Sequence, residues 1–142
     1  MAEYERHEAR RRGAPFEARK PAKPAKYRNK RVQVDGIVFD SIAESERWRQ
    51  LCFLRDAGEI SDLRYHQVFR LEIVGQFGTM VRKYEADFTY YDRMGIFVVE
   101  DVKSPKTRTN PEYRIKRELM AVLHGIEIRE VMIRRRNQDG GR

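Results

Sequence analysis

Residues 79–103, TMVRKYEADFTYYDRMGIFVVEDVK, read as two strands joined by a turn, and that reading decides the fold. Thr79–Tyr91 alternates apolar and polar residues as a half-buried strand does, then stops at Asp92-Arg93-Met94-Gly95. Ile96–Lys103 follows, apolar on both faces at its start like a strand inside a sheet. Side chains alternate along a strand, so residues two apart share a face. Met80, Tyr84, Ala86, Phe88 and Tyr90 are therefore expected on one apolar face, interrupted by Arg82, with Val81, Lys83, Glu85, Asp87, Thr89 and Tyr91 on the other. On the second strand Phe97, Val99, Asp101 and Lys103 share a face, and Ile96, Val98, Glu100 and Val102 share its opposite.

Aspartate is disfavoured in mid-strand, so Asp87 breaks a local rule with no structural gain, which is where functional sites tend to lie. The second strand ends with a carboxylate and an ammonium on one face, Asp101 and Lys103, which costs desolvation unless something binds there. Asp87 and Asp101 on neighbouring strands repel and call for a cation between them. Oxygen donors of this kind suit Mg²⁺, with Mn²⁺ as a substitute, the remaining positions going to water and phosphate oxygens. Lys103 would then orient or deprotonate a water, or neutralise charge on a phosphate. These are the parts needed to hydrolyse a phosphodiester. Glu100 is an alternative carboxylate, but strand parity favours Asp101, which alone shares a face with Lys103.

Working outward, Arg31–Phe39 (RVQVDGIVF) alternates around Asp35-Gly36, a favoured two-residue hairpin turn. Ser41 opens a helix, SIAESERWRQLCFLRDAG, that stops at Gly58. Glu44 stands three residues after Ser41 and has two readings: half of a capping box, or a third carboxylate brought beside the sheet. Leu63–Val74 is a further strand, broken at Gly75 to Gly78. After the loop SPKTRT, Asn110-Pro111 starts a second helix that ends at Gly125, and IEIREVMI supplies a last strand. Tyr84, Phe88, Tyr90 and Trp48 are expected in the core. The order is β-hairpin, α, β, β, β, α, β: an α/β fold with a mixed sheet flanked by helices.

The chain of 142 residues has a net charge of +8, and 37% of it is charged against about 25% in ordinary globular proteins. Residues 1–30 hold ten Lys/Arg against four Glu, so six of the eight excess charges lie there. With Pro15, Pro21 and Pro24 interrupting any helix, residues 1–28 read as a basic, largely disordered arm suited to a polyanion, most simply nucleic acid. A folded domain over 29–134 and a polar tail over 135–142 follow. Lys23, Lys26, Arg28 and Lys30 in the arm, Ser104, Lys106 and Arg108 in the loop, and Arg114, Lys116 and Arg117 on the second helix are the candidate phosphate contacts. No apolar run approaches the roughly 18 residues of a membrane span, and the N-terminus has no signal-like apolar core. One cysteine, Cys52, and scattered His7, His66 and His124 make no zinc spacing. A cytoplasmic setting without membrane contact is the expectation.

Asp87, followed fourteen residues on by Asp101-Val102-Lys103, resembles the PD-(D/E)XK nuclease superfamily. KYRNKRVQVDGIVFDSIAESERW, ISDLRYHQVF and VVEDVKSPKT further resemble small phage and prophage proteins of that superfamily, related to archaeal-type Holliday junction resolvases and transposon-end nucleases. The resemblance covers residues 26–132 and departs from the nominal motif at Ala86, where a proline stands. It implies a restriction-endonuclease-like core, α-β-β-β-α-β, with Glu44, Asp87, Asp101 and the Val102 carbonyl holding the metal and Lys103 as the catalytic lysine. Gln67 would be a polar group near the metal, or else an ordinary strand glutamine. The implied activity is Mg²⁺-dependent cleavage of DNA, branched DNA for a resolvase-like homodimer and other duplex ends or forks for a transposon-end-like enzyme. A non-catalytic nucleic-acid-binding protein is the reading from a different class.

Overall fold

A computed structural model describes residues 30–133; Lys23, Lys26, Arg28, the rest of the arm and the polar tail lie outside the described residues. Strands β1 (Val32–Val34) and β2 (Ile37–Phe39) form the expected hairpin, with Asp35 and Gly36 at φ +53° and +78° as a two-residue turn of the primed type requires. Helix α1 (Ile42–Asp56) begins at Ser41, whose hydroxyl accepts the Glu44 N–H at 3.1 Å, while a Glu44 carboxylate oxygen accepts the Asp40 N–H at 3.3 Å. Glu44 thus caps the helix one residue further back than the usual box. Strands β3 (Ser61–Gly75) and β4 (Gly78–Tyr91) make a long antiparallel ribbon turned by Gln76 and Phe77. Then come β5 (Phe97–Val102), a 3₁₀ turn at Thr107–Thr109, helix α2 (Pro111–His124) and the short strand β6 (Arg129–Val131). Asn110 caps α2 through the Glu112 and Tyr113 N–H groups, and Gly125 closes it in the left-handed conformation, φ +65°.

The four-stranded sheet has the order β3-β4-β5-β6, antiparallel except for β5 beside β6, which α2 connects. This is the mixed α/β arrangement expected from the strand and helix order. Helix α1 packs Trp48 and Leu51 on Phe39, Phe88, Tyr90 and Val98 on one side of the sheet. Helix α2 packs Tyr113 and Met120 on Leu71, Tyr84, Ala86 and Val99 on the other. Among the described residues no helix is long and apolar enough to cross a membrane.

The expected facing of β4 needs one correction. Tyr84 and Ala86 belong to the α2 side, whereas Phe88 and Tyr90 belong to the α1 side. The strand turns over at Asp87. Opposite it, His66 of β3 adopts φ +52°, and the ladder passes from Tyr65–Phe88 to Gln67–Ala86 without pairing His66 and Asp87. A left-handed residue in one strand and an unpaired one in the other reverse which side chains point which way. Thr89, expected on an exposed polar face, is consequently fully buried and donates to Gln67 Oε1 at 2.6 Å.

Glu100 faces the α1 side, fully buried, where Arg47 grips it with two bonds of 2.8 and 2.6 Å and the Tyr90 hydroxyl donates a third. Burial and the Glu100 carboxylate push the Tyr90 hydroxyl up to about 12, so it remains a donor. Arg47→Met strands a buried charge and should destabilise the fold by about 3–5 kcal/mol in urea titrations. Arg47→Met combined with Glu100→Leu should recover most of that loss. A single variant as stable as the parent would show that this pair does not hold α1 to the sheet.

Candidate active site

Strands β4 and β5 pair as far as Phe88–Glu100 and then part, so the next residues in register are Asp87 and Asp101, directly opposite each other. Like charges so placed destabilise a sheet unless their surroundings compensate. Here the Asp87 side chain replaces the ladder: its Oδ2 accepts the Val102 N–H at 2.7 Å. Asp101 is 4% exposed; its Oδ2 accepts the Tyr84 hydroxyl at 2.7 Å and its Oδ1 lies 2.9 Å from Lys103 Nζ. The expected sharing of a face by Asp101 and Lys103, with Glu100 turned away, matches this geometry.

Burial first, then the charges of Asp101 and Glu44, push the Asp87 carboxyl up to about 9, and the Val102 N–H pulls the other way. The charge of Asp101 therefore acts on Asp87 directly across the fork. Burial also raises Glu44, with the Asp40 N–H opposing and the charges of Asp40 and Asp101 reinforcing. Glu44 therefore stands near enough to be felt by both aspartates while its carboxylate stays at the helix start. Among the described residues no three His, Cys, Asp or Glu side chains form a group that could hold a metal ion by themselves. The structure brings two of the three proposed carboxylates together; the third serves as a cap.

Two tyrosines complete the site, and sequence patterning assigned neither a role there. Tyr84 fixes Asp101, and burial followed by the Asp101 charge raises its hydroxyl far above the ordinary range, which keeps it a donor. Tyr113, in the first turn of α2, lies under the Lys103 ammonium at 4.1 Å from ring centre to nitrogen, a cation–π contact. Its hydroxyl donates to Glu130 Oε1 at 3.1 Å, and Glu130 is the neighbour of Asp101 across the parallel β5–β6 pair. The available signal was general: a buried tyrosine hydroxyl has to find a partner. Gln67 Oε1 accepts the Thr89 hydroxyl, and neither side chain is bonded to Asp87, Asp101 or Lys103.

The expected phosphate rim is assembled in part. Arg108, Arg114 and Arg117 line, with Pro105, Thr109 and Met132, a shallow groove of about 330 Å³ beside the start of α2. Two of the three are already paired: Arg108 Nε and Arg117 Nη1 lie 2.7 and 2.6 Å from Glu130. Burial alone would raise Glu130, but Arg117, Tyr113 and Arg108 hold it below its ordinary value. Lys116 pairs with Glu112 one turn back, and Ser104 closes a turn with Thr107. Lys106 and Lys30 are exposed.

Residues 24–136 match the model of the family described as Protein of unknown function (DUF1064), and the chain belongs to that family. No curated protein and no solved structure matches it.

The raised Asp87 has a sign that experiment can read. A carboxyl whose folded pKa lies above its unfolded one, about 3.9, supports the fold fully below pH 4 and loses that support as pH rises towards 9. Asp87→Asn keeps an acceptor for Val102 N–H and gives Asp101 a donor without the charge. It should raise the melting temperature of the metal-free protein at pH 8 by roughly 3 °C or more, with the gap closing at pH 4. A variant that melts lower than the parent at pH 8 would contradict the raised Asp87 carboxyl.

Proposed function

We propose that this chain is a metal-dependent DNA endonuclease with a restriction-endonuclease-like core, selective for branched DNA in the manner of a Holliday junction resolvase. The observation that carries the reading is the fork: Asp87 opposite Asp101, with the Lys103 ammonium on Asp101. The order α1-β3-β4-β5-α2-β6 supports it, because it repeats the α-β-β-β-α-β order of that superfamily.

The donor chemistry fits a small hard cation. Mg²⁺ commonly takes one or two carboxylates and leaves its other positions to water and phosphate oxygens, so the absence of a three-carboxylate group among the described residues is compatible with it. Asp87 and Asp101 would hold the ion, with the Val102 carbonyl and Glu44 as the further candidates, and Mn²⁺ would substitute. When bound, such an ion polarises a phosphoryl oxygen and acidifies water. The protein's own part is positional. Tyr84 keeps the Asp101 carboxylate in one orientation, and Asp101 and the Tyr113 ring together keep the Lys103 ammonium at the fork. From there Lys103 orients the attacking water and neutralises charge gathering on the phosphate. Arg108, Arg114, Arg117, Lys116, Lys106, Ser104 and the basic arm contact the backbone, reading shape more than bases. A homodimer would bring two such forks to opposing strands of one junction in the cytoplasm.

One observation favours a non-catalytic nucleic-acid-binding protein instead: Tyr84 and Lys103 already occupy both oxygens of Asp101. Incubation with labelled four-way, Y-shaped and linear DNA, with and without Mg²⁺, separates these readings. The nuclease should cut only with Mg²⁺ and prefer the four-way form, whereas preference for forks or ends indicates the transposon-end-like enzyme. Lys103→Ala and Asp101→Asn should each lower cleavage at least about 100-fold with DNA affinity retained. Normal cutting by either variant ends the assignment, and light scattering that finds only monomers on the junction ends the dimer.

A further inference from the structure

The β3–β4 ribbon runs well past the sheet, because β5 pairs with β4 only over Phe88–Tyr91. Helix α2 covers one face of the ribbon as far as Leu71 and Tyr84, and His124 at its end sits 2.9 Å from the Arg70 carbonyl oxygen. Beyond that point only Ile73 is partly buried, and the residues from Val74 to Val81 are exposed. Its last nine positions, Ile73–Val81 (IVGQFGTMV), hold no charged residue, and at the turn Phe77 is 97% exposed with Val74 at 76%. An apolar projection of this kind marks a contact surface.

The charges behind the tip indicate what it contacts. Arg70 and Lys83 stand directly opposite each other across the ribbon, and Arg82 is opposite Leu71. Opposed cations destabilise a strand pair. Glu72 meets Arg70 at 3.4 Å, but both are exposed, and no acidic partner approaches Arg82 or Lys83 among the described residues. A second copy of a chain with net charge +8 would add to the repulsion, whereas a phosphate backbone would relieve it. Asp87 and Phe77 lie on the same strand pair ten residues apart, about 33 Å at the usual rise, or roughly ten base pairs.

We propose that this ribbon is a nucleic-acid wedge: Arg70, Arg82 and Lys83 seat it on phosphates, and Phe77 enters a base step about one helical turn from the fork. This rests on the DNA reading above and adds to it the element that recognises the substrate. Apolar side chains on protruding elements unstack bases in this way, and every base offers a face to a ring.

The test uses the full chain, a labelled four-way junction with thymines at each step of its arms, and EDTA so that no cleavage intervenes. Permanganate reactivity of thymine reports unstacking. The parent should make one step reactive. Phe77→Ala should lose that signal and bind about tenfold more weakly, and Phe77→Trp should restore both. Lys83→Ala should keep the signal and lower the slope of log affinity against log salt by about one. Equal binding and equal reactivity in the parent and Phe77→Ala overturn the wedge, as does failure of the parent to bind DNA. If Phe77→Ala instead turns a dimer into a monomer with unchanged DNA affinity, the tip joins two copies and the wedge is overturned. Cleavage in Mg²⁺ is scored separately: a wedge without cleavage ends the nuclease reading alone, and cleavage without a wedge ends this one alone.

Discussion

Two carboxylates face each other where β4 and β5 separate, and the rest of the structure is arranged around their repulsion. A continued ladder would set Asp87 and Asp101 side by side with nothing between them. The strands part instead, and the Asp87 side chain takes the Val102 N–H that backbone pairing would otherwise have to satisfy. The open fork leaves Asp101 to Tyr84 and Lys103, from β4 and from the residue just past β5. Even so the pair remains electrostatically unfinished, which is why the Asp87 carboxyl is driven so far from its ordinary range. Under the proposed function, a cation at the fork would relieve the same repulsion.

Glu100 and Asp101 are consecutive acidic residues with opposite fates, and the difference is geometric. Alternation sends Glu100 to the α1 side, where a forked guanidinium matches both its oxygens and the tyrosine hydroxyl takes up remaining acceptor capacity. That carboxylate is closed. Asp101 meets one ammonium and one hydroxyl, and beside it stands another carboxyl instead of a second cation. The first pair ties a helix to the sheet; the second sets two carboxyls against a single ammonium. A carboxyl raised as Asp87 is occurs more often at functional sites than elsewhere, although structural networks also produce such shifts.

Local signals told the truth where a structure depends on neighbours in sequence. Asp35-Gly36, the Ser41 and Asn110 caps and the Gly125 stop each act within a few residues, and each forms as the sequence indicates. Parity over the short strand β5 also held, so the facing of Asp101 and Lys103 was legible. Parity failed in β4, because its reversal depends on His66 in a strand twenty residues earlier adopting a backbone angle that no local pattern announces. Thr89 was misplaced for the same reason. Glu130 was overlooked because its partners Arg108, Tyr113 and Arg117 converge on it only after β6 docks beside β5. Glu44 forms the cap, and its charge reaches the aspartates, but it joins them in no three-carboxylate group among the described residues.

Charges alternate from the groove inward: Arg108 and Arg117 on Glu130, the Tyr113 hydroxyl on Glu130, the Tyr113 ring under Lys103, and Lys103 on Asp101. The two ends of this chain differ in solvent access. Arg108 is more than half exposed while Glu130 beneath it is 13% exposed, so water and salt compete for the arginine end of that pair. Lys103 and Asp101 are largely out of water, where the same separation is worth more and is screened less. The outer arginine is thus open to competing anions, while the inner lysine keeps its place on Asp101. The nucleic-acid reading proposed above draws on that division, with a cation open to exchange outside and a fixed one inside.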